Sequence, residues 1–326
     1  MASHHIYPST NMQSPKLLQS LALVALLSNT VTAQEAPTVG DGSIESPYEI
    51  ASVENFLWIG TLPYADHEGQ HFVQTADLDF TDMTFAGIVD FAGFYDGQYH
   101  QIRANISAAD DGGVLGRRAG LFRELNGRVQ NLHLDVQIDT DAPISGGLAA
   151  QCFNCILDKV RVTGAIRSSS VNGLAGGLVG QAEEALFMEV VNTATVVADW
   201  AAGLAAEAVG LGVLDSYNVG WLGRGTEAGT DTRAGGIIAF AIAHLVSDRD
   251  SVSTVPTTLT NVYASYCIAA GHAGYVDNNQ PTTFPQVRGG LIASDAASLA
   301  MSPPLTRGNV VGSFLSTYPA CPAAMQ

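Results

Sequence analysis

Short stretches of alternating apolar and polar residues recur along most of the chain, and small residues separate them. One set begins with Gly or Ala, then Gly, then an apolar residue: Ala119-Gly120-Leu121-Phe122, Gly146-Gly147-Leu148-Ala149, Gly176-Gly177-Leu178-Val179, Ala202-Gly203-Leu204-Ala205, Gly235-Gly236-Ile237-Ile238 and Gly289-Gly290-Leu291-Ile292. Successive starts lie 26 to 33 residues apart, except for the last interval, which is 54 residues. A period of two is typical of β-strands, and the frequent Gly and β-branched residues disfavour helix. The pattern therefore predicts short strands joined by tight turns.

A second set of segments follows these starts and alternates in the same way. Its members are Asn131–Val136, Lys159–Gly164, Glu189–Ala194, Asp215–Gly220 and Asn261–Tyr266. Aligned with one another, they form two inward columns: Leu132, Val160, Val190, Ser216 and Val262, and then Leu134, Val162, Asn192, Asn218 and Ala264. Two stacked asparagines suit the inside of a solenoid, because their amides can hydrogen-bond along its axis.

No single repeat can bury its apolar face alone, but repeats stacked at roughly 4.8 Å pair their strands and share one core. The sequence therefore predicts an all-β fold, a parallel β-solenoid, and most simply a right-handed β-helix with about 26–30 residues per coil. The paired glycines fit corners that need either a positive φ or a close approach of two backbones. A β-propeller or a β-sandwich is the alternative, although both require antiparallel hairpins.

The N-terminus has the features of a secretory signal peptide. Lys16 precedes the apolar run Leu17–Leu27, and small residues end at Ala33. This order of a positive end, a short apolar stretch and a small-residue cleavage site predicts removal of residues 1–33. No second long apolar run follows, so we expect no transmembrane span in the mature chain and a secreted or cell-surface location.

The mature chain is predicted to have capped ends, because an open solenoid end exposes unpaired strand edges. Ser52 can cap a short amphipathic helix, Val53–Ile59, that covers the first coil. The predicted domains are a leader and cap at 34–70, β-helix repeats at 71–293, and a C-terminal wrap or tail at 294–326.

Composition narrows the range of functions. Hydrophobic residues make up 47% of the chain and charged residues 14%, which indicates a sizeable packed core rather than disorder. Asp and Glu outnumber Lys and Arg by 31 to 14, for a formal net charge of -17. Nucleic acid is therefore excluded as a partner, because a phosphate backbone needs a basic face.

Several segments resemble the GLUG-motif repeat family of bacterial secreted and surface proteins. Gly176–Gly180 resembles the short Gly-Leu-X-Gly motif of that family. Gly40–Ser43 and Ser46–Ile50 resemble the opening of such surface domains, Gln74–Asp79 resembles the next strand, and Phe91–Ile102 resembles the segment that leads into the repeats.

The resemblance covers about residues 40–222, and Ala150 and Ala206 stand where the family has Gly. It implies a β-helical fold in a bacterial protein outside the cytoplasm, often a module of an adhesin or a neighbour of a peptidase domain. It does not imply one activity, because a fold does not determine a function.

The chain has four cysteines, an even number that suggests disulfides in an exported protein. We expect a local bridge between Cys152 and Cys155, which leaves Cys267 and Cys321 to pin the C-terminal segment. A redox role for the Cys-x-x-Cys pair and a four-cysteine zinc site are the alternatives.

The outward positions of the second segments carry candidate binding groups. In the aligned register His133 stacks beside Arg161, with Asp135 on the same face, and such a set could bind an acidic sugar. Tyr217 and Tyr263 continue the column of His133, and exposed aromatic rings can stack on sugar rings or contact a protein partner. The alternative is a solvated strand face whose charges and rings have no ligand.

Asp residues also occur in closely spaced pairs that could hold Ca²⁺ with loop carbonyls. The sets are Asp77, Asp79 and Asp82; Asp139 and Asp141; and Asp248 and Asp250. Turn formation is the alternative role for these residues. The chain shows no dinucleotide-binding or phosphate-binding motif, so no other cofactor is expected.

Two function hypotheses follow. The first is a non-catalytic adhesion, ligand-binding or structural module whose partner is a glycan or a surface protein. The second is a polysaccharide-degrading β-helix enzyme, a lyase or hydrolase that acts on an acidic glycan. The second would use carboxylates and basic residues on one outer face, for which Asp135, Asp158, Lys159 and Arg161 are the candidates.

Overall fold

The computed structural model describes residues 34–110, 117–224 and 233–242, together with strand residues 258–260, 263–264 and 275–277. Short strands dominate this part of the chain, and two helices, α1 Val53–Ile59 and α2 Tyr64–His67, precede most of them. The strands in chain order are β1 Tyr48–Ile50, β2 His71–Gln74, β3 Leu78–Asp79, β4 Ile88–Phe91, β5 Phe94–Asp96, β6 Gln101–Ile106, β7 Ala109–Asp110, β8 Arg117–Ala119, β9 Phe122–Leu125, β10 Arg128–Gln130, β11 His133–Thr140, β12 Ile144–Gly146, β13 Ala149–Phe153, β14 Ile156–Asp158, β15 Arg161–Ser168, β16 Leu174–Gly176, β17 Val179–Glu183, β18 Leu186–Met188, β19 Val191–Asn192, β20 Thr195–Ala198, β21 Trp200–Ala202, β22 Ala205–Val209, β23 Gly212–Leu214, β24 Tyr217–Asn218, β25 Leu222–Arg224, β26 Arg233–Gly235, β27 Ile238–Ile242, β28 Thr258–Thr260, β29 Tyr263–Ala264 and β30 Tyr275–Asp277.

The five successive coils from β5 to β27 each pass through four sheets, which we name A to D. Sheet A is β1-β2-β5-β10-β14-β18-β23-β28, and sheet B is β3-β6-β11-β15-β19-β24-β29, with β20 beside β15 and β25 beside β20. Sheet C is β4-β9-β13-β17-β22-β27-β30, and sheet D is β7-β8-β12-β16-β21-β26. Apart from the antiparallel pair β7–β8, the strands of the described residues pair in parallel. The fold is therefore the predicted parallel β-helix, and its pairing differs from that of a propeller or sandwich.

The predicted register is confirmed residue by residue. His133, Arg161, Val191, Tyr217 and Tyr263 are successive partners across sheet B, as are Leu134, Val162, Asn192, Asn218 and Ala264. The first three steps of each column are 28, 30 and 26 residues long, within the expected coil length, whereas the step to Tyr263 is 46 residues long. The longer step arises because the segments between β24 and β26 and between β27 and β28 are longer than their counterparts in the preceding coil.

The turn from sheet A to sheet B is made by one residue in the left-handed conformation in four successive coils. These residues are Asn131, Lys159, Glu189 and Asp215, with φ between 49° and 55°. The conformation costs energy for residues other than glycine. Its repetition places polar and charged side chains in a row along this corner.

Close approach, and not a positive φ, explains the second glycine of each Gly-Gly-Leu start. A Cβ added at Gly147 would lie 2.5 Å from the carbonyl oxygen of Gly177, one at Gly177 would lie 2.1 Å from that of Gly203, and one at Gly203 would lie 2.0 Å from that of Gly236. Successive coils therefore stack so closely at this corner that no side chain fits.

The predicted N-terminal helix is present with its cap. Helix α1 spans Val53–Ile59, and the Ser52 hydroxyl accepts a hydrogen bond from the Asn55 N–H at 3.3 Å. Phe56 and Ile59 are buried against the first coils. Satisfying an otherwise unpaired N–H group at the first turn stabilises such a short helix.

The predicted signal peptide at 1–33, the C-terminal segment at 294–326 and Val262 lie outside the described residues. Strand β1 pairs with β2 from Tyr48 onward, so parallel stacking begins within the segment 34–70. In the described ranges, no helix combines the length and the apolar character that a bilayer crossing requires.

Candidate functional site

The outer face of sheet B carries the residues that the sequence singled out. His133 is half-buried on β11 and Arg161 is exposed beside it on β15. Tyr217 is 41% exposed and continues the same column on β24. Tyr263 is placed by its backbone pairing with Tyr217. The structure therefore aligns these four residues in one column, on a flat part of the face.

Asp135 lies in the neighbouring outward column. It is half-buried on β11, with Arg103 of β6 on one side and Thr163 of β15 on the other. The closest aromatic contact of this region is between the rings of Tyr99 and His133, whose centroids are 6.1 Å apart. Asp135 and Arg161 form neither a hydrogen bond nor an ion pair within the described part of the chain.

The other two candidates, Asp158 and Lys159, are engaged in charge pairs at the corner between sheets A and B. Arg128 Nη2 lies 3.0 Å from Asp158 Oδ2, and Lys159 Nζ lies 3.7 Å from Asp158 Oδ1 and 3.5 Å from Glu189 Oε1. Asp158 first, and Glu189 second, raise the pKa of Lys159 above its ordinary value. This corner therefore has internal counter-charges of its own.

Two residues of the first aspartate set have local structural roles. The Asp77 Oδ1 atom accepts a hydrogen bond from the Gln101 N–H at 2.8 Å and lies 3.2 Å from His100 Nδ1, and these contacts lower the pKa of Asp77. Asp79 accepts from the side chain and the backbone N–H of Thr81, which lowers the pKa of Asp79. Asp77 therefore joins two successive coils, whereas Asp79 stabilises a local turn.

The remaining aspartates do not come together with these. Asp141 pairs with Arg117, while Asp248 and Asp250 lie outside the described residues. Within the described ranges, no three His, Cys, Asp or Glu side chains meet in a way that could hold a metal ion. Asp82 and Asp139, from different sets, line a common groove.

This groove lies on the outer face of sheet B and has a volume of about 590 Å³. Its floor is formed by outward residues of β6, β11 and β15, and the loop Thr81–Thr84 lies at one side. The side chains that line it include Asn105, Gln137, Ala165, Asp139, Arg167, Asp82 and Met83. It adjoins the flat column of His133 and Arg161 on the same strands.

The polar groups of the groove are largely unengaged. Asp82, Gln137, Asp139 and Arg167 are not seen in any hydrogen bond or ion pair within the described residues. Asp139 and Arg167 are direct partners in the register of β11 and β15, yet they form no ion pair. Exposed donors and acceptors that converge on one concavity are typical of a binding site.

Sequence reasoning missed this groove because a loop that is distant in the repeat pattern forms its wall. Asp82 and Asp139 appeared only as members of separate aspartate sets. Gln137, Asp139 and Arg167 lie on strands whose outward positions alternation does predict, but alternation does not distinguish a walled part of a face from a flat one.

A second missed feature is a polar ladder on sheet C. Arg118 Nη1 donates to Gln151 Oε1 at 2.5 Å and to Glu124 Oε2 at 3.2 Å. Gln151 Nε2 donates to Gln181 Oε1 at 2.7 Å, and Gln181 Nε2 donates to Glu207 Oε1 at 2.7 Å. The signal was available, because Glu or Gln stands at the same place in four successive repeats.

The predicted local disulfide is present. Cys152 and Cys155 are bonded and fully buried, with their Cα atoms 5.6 Å apart. The bond leaves no thiolates in this pair to hold zinc, and the full burial of both residues disfavours a redox role, which needs an accessible sulfur. Cys267 and Cys321 lie outside the described residues, so their pairing stays a prediction.

Comparisons with known proteins bear on the fold. No family model matches the chain, and no curated protein matches it. A solved crystal structure described as a "putative immunoglobulin A1 protease" from Bacteroides ovatus is similar, with a TM-score of 0.55 and 17% sequence identity. The match covers 84% of this chain and 86% of that one. At this identity the likeness shows a shared fold alone.

Proposed function

We propose that this protein is a secreted or cell-surface β-helical module that binds a glycan or a surface protein without turning it over. The observation that carries the proposal is the groove of sheet B, where four polar side chains converge, three from the strands and Asp82 from the loop, none with a hydrogen bond or ion pair among the described residues. Such groups are solvated in the free protein and available to a ligand.

The chain's other properties support a binding role. The strands that form the groove belong to a long parallel ladder, which fixes the backbone from which each outward side chain projects. A backbone that needs no ordering lowers the entropic cost of binding. The apolar signal-like segment at 1–33 supports export, and the repeated Gly-Gly-Leu starts support our proposal that the chain is related to the GLUG-motif repeat family.

Binding without turnover is tested on the full chain with two measurements. We expect the immobilised protein to retain at least one member of a panel of bacterial and host glycans and surface proteins. We expect no release of reducing sugars or unsaturated products from the retained glycans. A panel that contains no retained member would contradict the proposal.

The alternative is a polysaccharide-degrading enzyme, and one observation favours it. Asp82 and Asp139 line the same groove, and a pair of carboxyl groups across a sugar is what glycoside hydrolysis requires. The enzyme hypothesis predicts product release that Asp82→Asn and Asp139→Asn each abolish while the chain stays folded. Turnover lost in Asp135→Ala or Arg161→Ala would instead place catalysis on the flat part of sheet B that carries these two residues.

The similarity to the Bacteroides ovatus chain raises a third activity, peptide-bond hydrolysis. The shared fold gives it no residue-level support, because the match carries only 17% identity. A protease assay on immunoglobulin A1 with the full chain therefore belongs in the same screen, and cleavage would replace the binding proposal.

A further inference from the structure

We infer that the groove of sheet B takes an uncharged saccharide chain that lies along the solenoid axis, across β6, β11 and β15. This inference rests on the proposed binding function and adds the chemical class and the direction of the ligand. Three features of the groove carry it: the mixture of its hydrogen-bonding groups, its charge, and its arrangement in columns.

The hydrogen-bonding groups match sugar hydroxyls, which both donate and accept. The Arg167 guanidinium donates only, the carboxylates of Asp82 and Asp139 accept only, and the Gln137 amide does both. Asn105 Nδ2 already donates to the Thr81 carbonyl at 3.0 Å, which leaves its Oδ1 atom as an acceptor. A ligand with only acceptors, such as a polyphosphate, would leave the carboxylates unpaired.

The charge of the groove disfavours a polyanion. Two carboxylates and one guanidinium line the groove, so the sum of their formal charges is negative. The whole chain carries a formal charge of -17, which repels an acidic glycan at long range. An uncharged ligand avoids this repulsion and needs no counter-charge. The groove thus differs from the acidic-sugar site that the sequence predicts around His133 and Arg161.

The columns of the groove give the direction. Asn105, Gln137 and Ala165 are successive partners across β6, β11 and β15, and Asp139 and Arg167 form the next outward column. Neighbouring strands lie about 4.8 Å apart, so the side chains of each column follow one another along the solenoid axis at that spacing. A linear chain laid along this axis meets hydrogen-bonding groups at each step until the small Ala165.

The wall of the groove is held in place before any ligand arrives. Asp79 Oδ1 accepts from the Thr81 N–H at 2.9 Å, and Met83 packs on the hydrophobic core. The Thr81 carbonyl is fixed by Asn105 of the floor. A wall that needs no ordering costs little entropy on binding.

The test compares neutral and anionic oligosaccharides on the full chain by isothermal titration calorimetry. The probes are cellohexaose, xylohexaose and mannohexaose, with a galacturonate hexamer as the anionic probe, each measured at low and at high salt. We expect at least one neutral probe to bind with a Kd that salt leaves unchanged, because screening acts only between charges. Binding of the galacturonate hexamer alone would overturn the inference.

Matched variants on the same two strands locate the site. Asp139→Asn and Arg167→Ala change the groove, whereas Asp135→Asn and Arg161→Ala change the same residue types on the flat part of β11 and β15. We expect the groove variants to weaken neutral-probe binding about tenfold or more, and the flat-face variants to keep the wild-type Kd.

The outcomes separate this inference from the proposed function. Binding that is lost only in the flat-face variants would overturn the groove as the site and leave the binding function intact. Retention of a surface protein without any oligosaccharide would also overturn the saccharide assignment alone. Failure of every probe and every panel member to bind would overturn both. Circular dichroism of each variant checks that the β-helix is retained.

Discussion

The first coils of the β-helix and the later ones bury different chemistry. In the first coils, the Phe56 ring of helix α1 contacts Phe80, Tyr95 and Phe122, with centroids 5.4, 5.7 and 6.2 Å away. In the later coils the sheet B column contains Asn192 and Asn218, whose side chains are hydrogen-bonded at 2.8 Å. The same parallel ladder is thus stabilised by aromatic packing at one end and by small residues and amide pairing farther along.

This difference predicts different tolerance to substitution. An aromatic cluster occupies a wide core and loses stability mainly when volume is removed. The later coils stack closely at the Gly-Gly-Leu corner, where a Cβ added at Gly177 would lie 2.4 Å from Asn192 Cγ. They should therefore lose stability mainly when volume is added.

Phe56→Ala is expected to have the largest effect. It removes the ring that joins the cap to the first coils, and truncation of a buried Phe costs about 3–5 kcal/mol of unfolding free energy. Urea denaturation followed by circular dichroism measures the loss. Phe56→Leu, which keeps most of the volume, is the control and should cost clearly less. Equal losses in the two variants would show that ring volume is not what stabilises this end.

Gly177→Ala is expected to have the next largest effect, a loss of about 3 kcal/mol of unfolding free energy. This value is the upper end of the usual cost of overpacking a core. The new Cβ meets the Gly203 carbonyl oxygen of the next coil, and backbone cannot move aside as a flexible side chain can. The control is Gly60→Ala, because a Cβ there would lie no closer than 3.4 Å to a neighbouring atom and Gly60 has a negative φ. If the urea denaturation midpoint of Gly177→Ala equals that of the wild-type chain, the close stacking of successive coils at this corner is contradicted.

The contrast between the two regions also shows what the sequence could predict. Alternation places Leu134, Val162 and Asn192 in one inward column, because a strand has only two faces and a repeat fixes the register. It does not place the loop Thr81–Thr84 against the outer face, because that contact joins residues outside the repeat. The fold and its columns were therefore predictable, whereas the groove was not.

Asn218→Ala is expected to cost about 2 kcal/mol, because it leaves buried donors without an acceptor. Asn218 Oδ1 accepts from Asn192 Nδ2 at 2.8 Å and from the Gly220 N–H at 3.0 Å.

A double-mutant cycle with Asn192→Val and Asn218→Val measures the coupling between the two amides. Valine is the substitute because Val162 fills this column one coil earlier. We expect the double variant to cost less than the sum of the singles. Strict additivity would show that the amide pair contributes nothing of its own.

The smallest expected effect is that of the disulfide, although removing it changes two buried residues at once. The loop that Cys152 and Cys155 close is only a few residues long, and a short loop restricts the unfolded chain least, so we expect about 1 kcal/mol. The next coil supports a small value, because Ala182 pairs with Cys152 and Ala185 follows at the position of Cys155. Cys152→Ala/Cys155→Ala should thus shift the urea midpoint less than any variant above, and reducing the wild-type chain should shift it similarly. A loss as large as that of Phe56→Ala would mean that this coil depends on its covalent bridge, and that the later coils are not stabilised by close stacking alone.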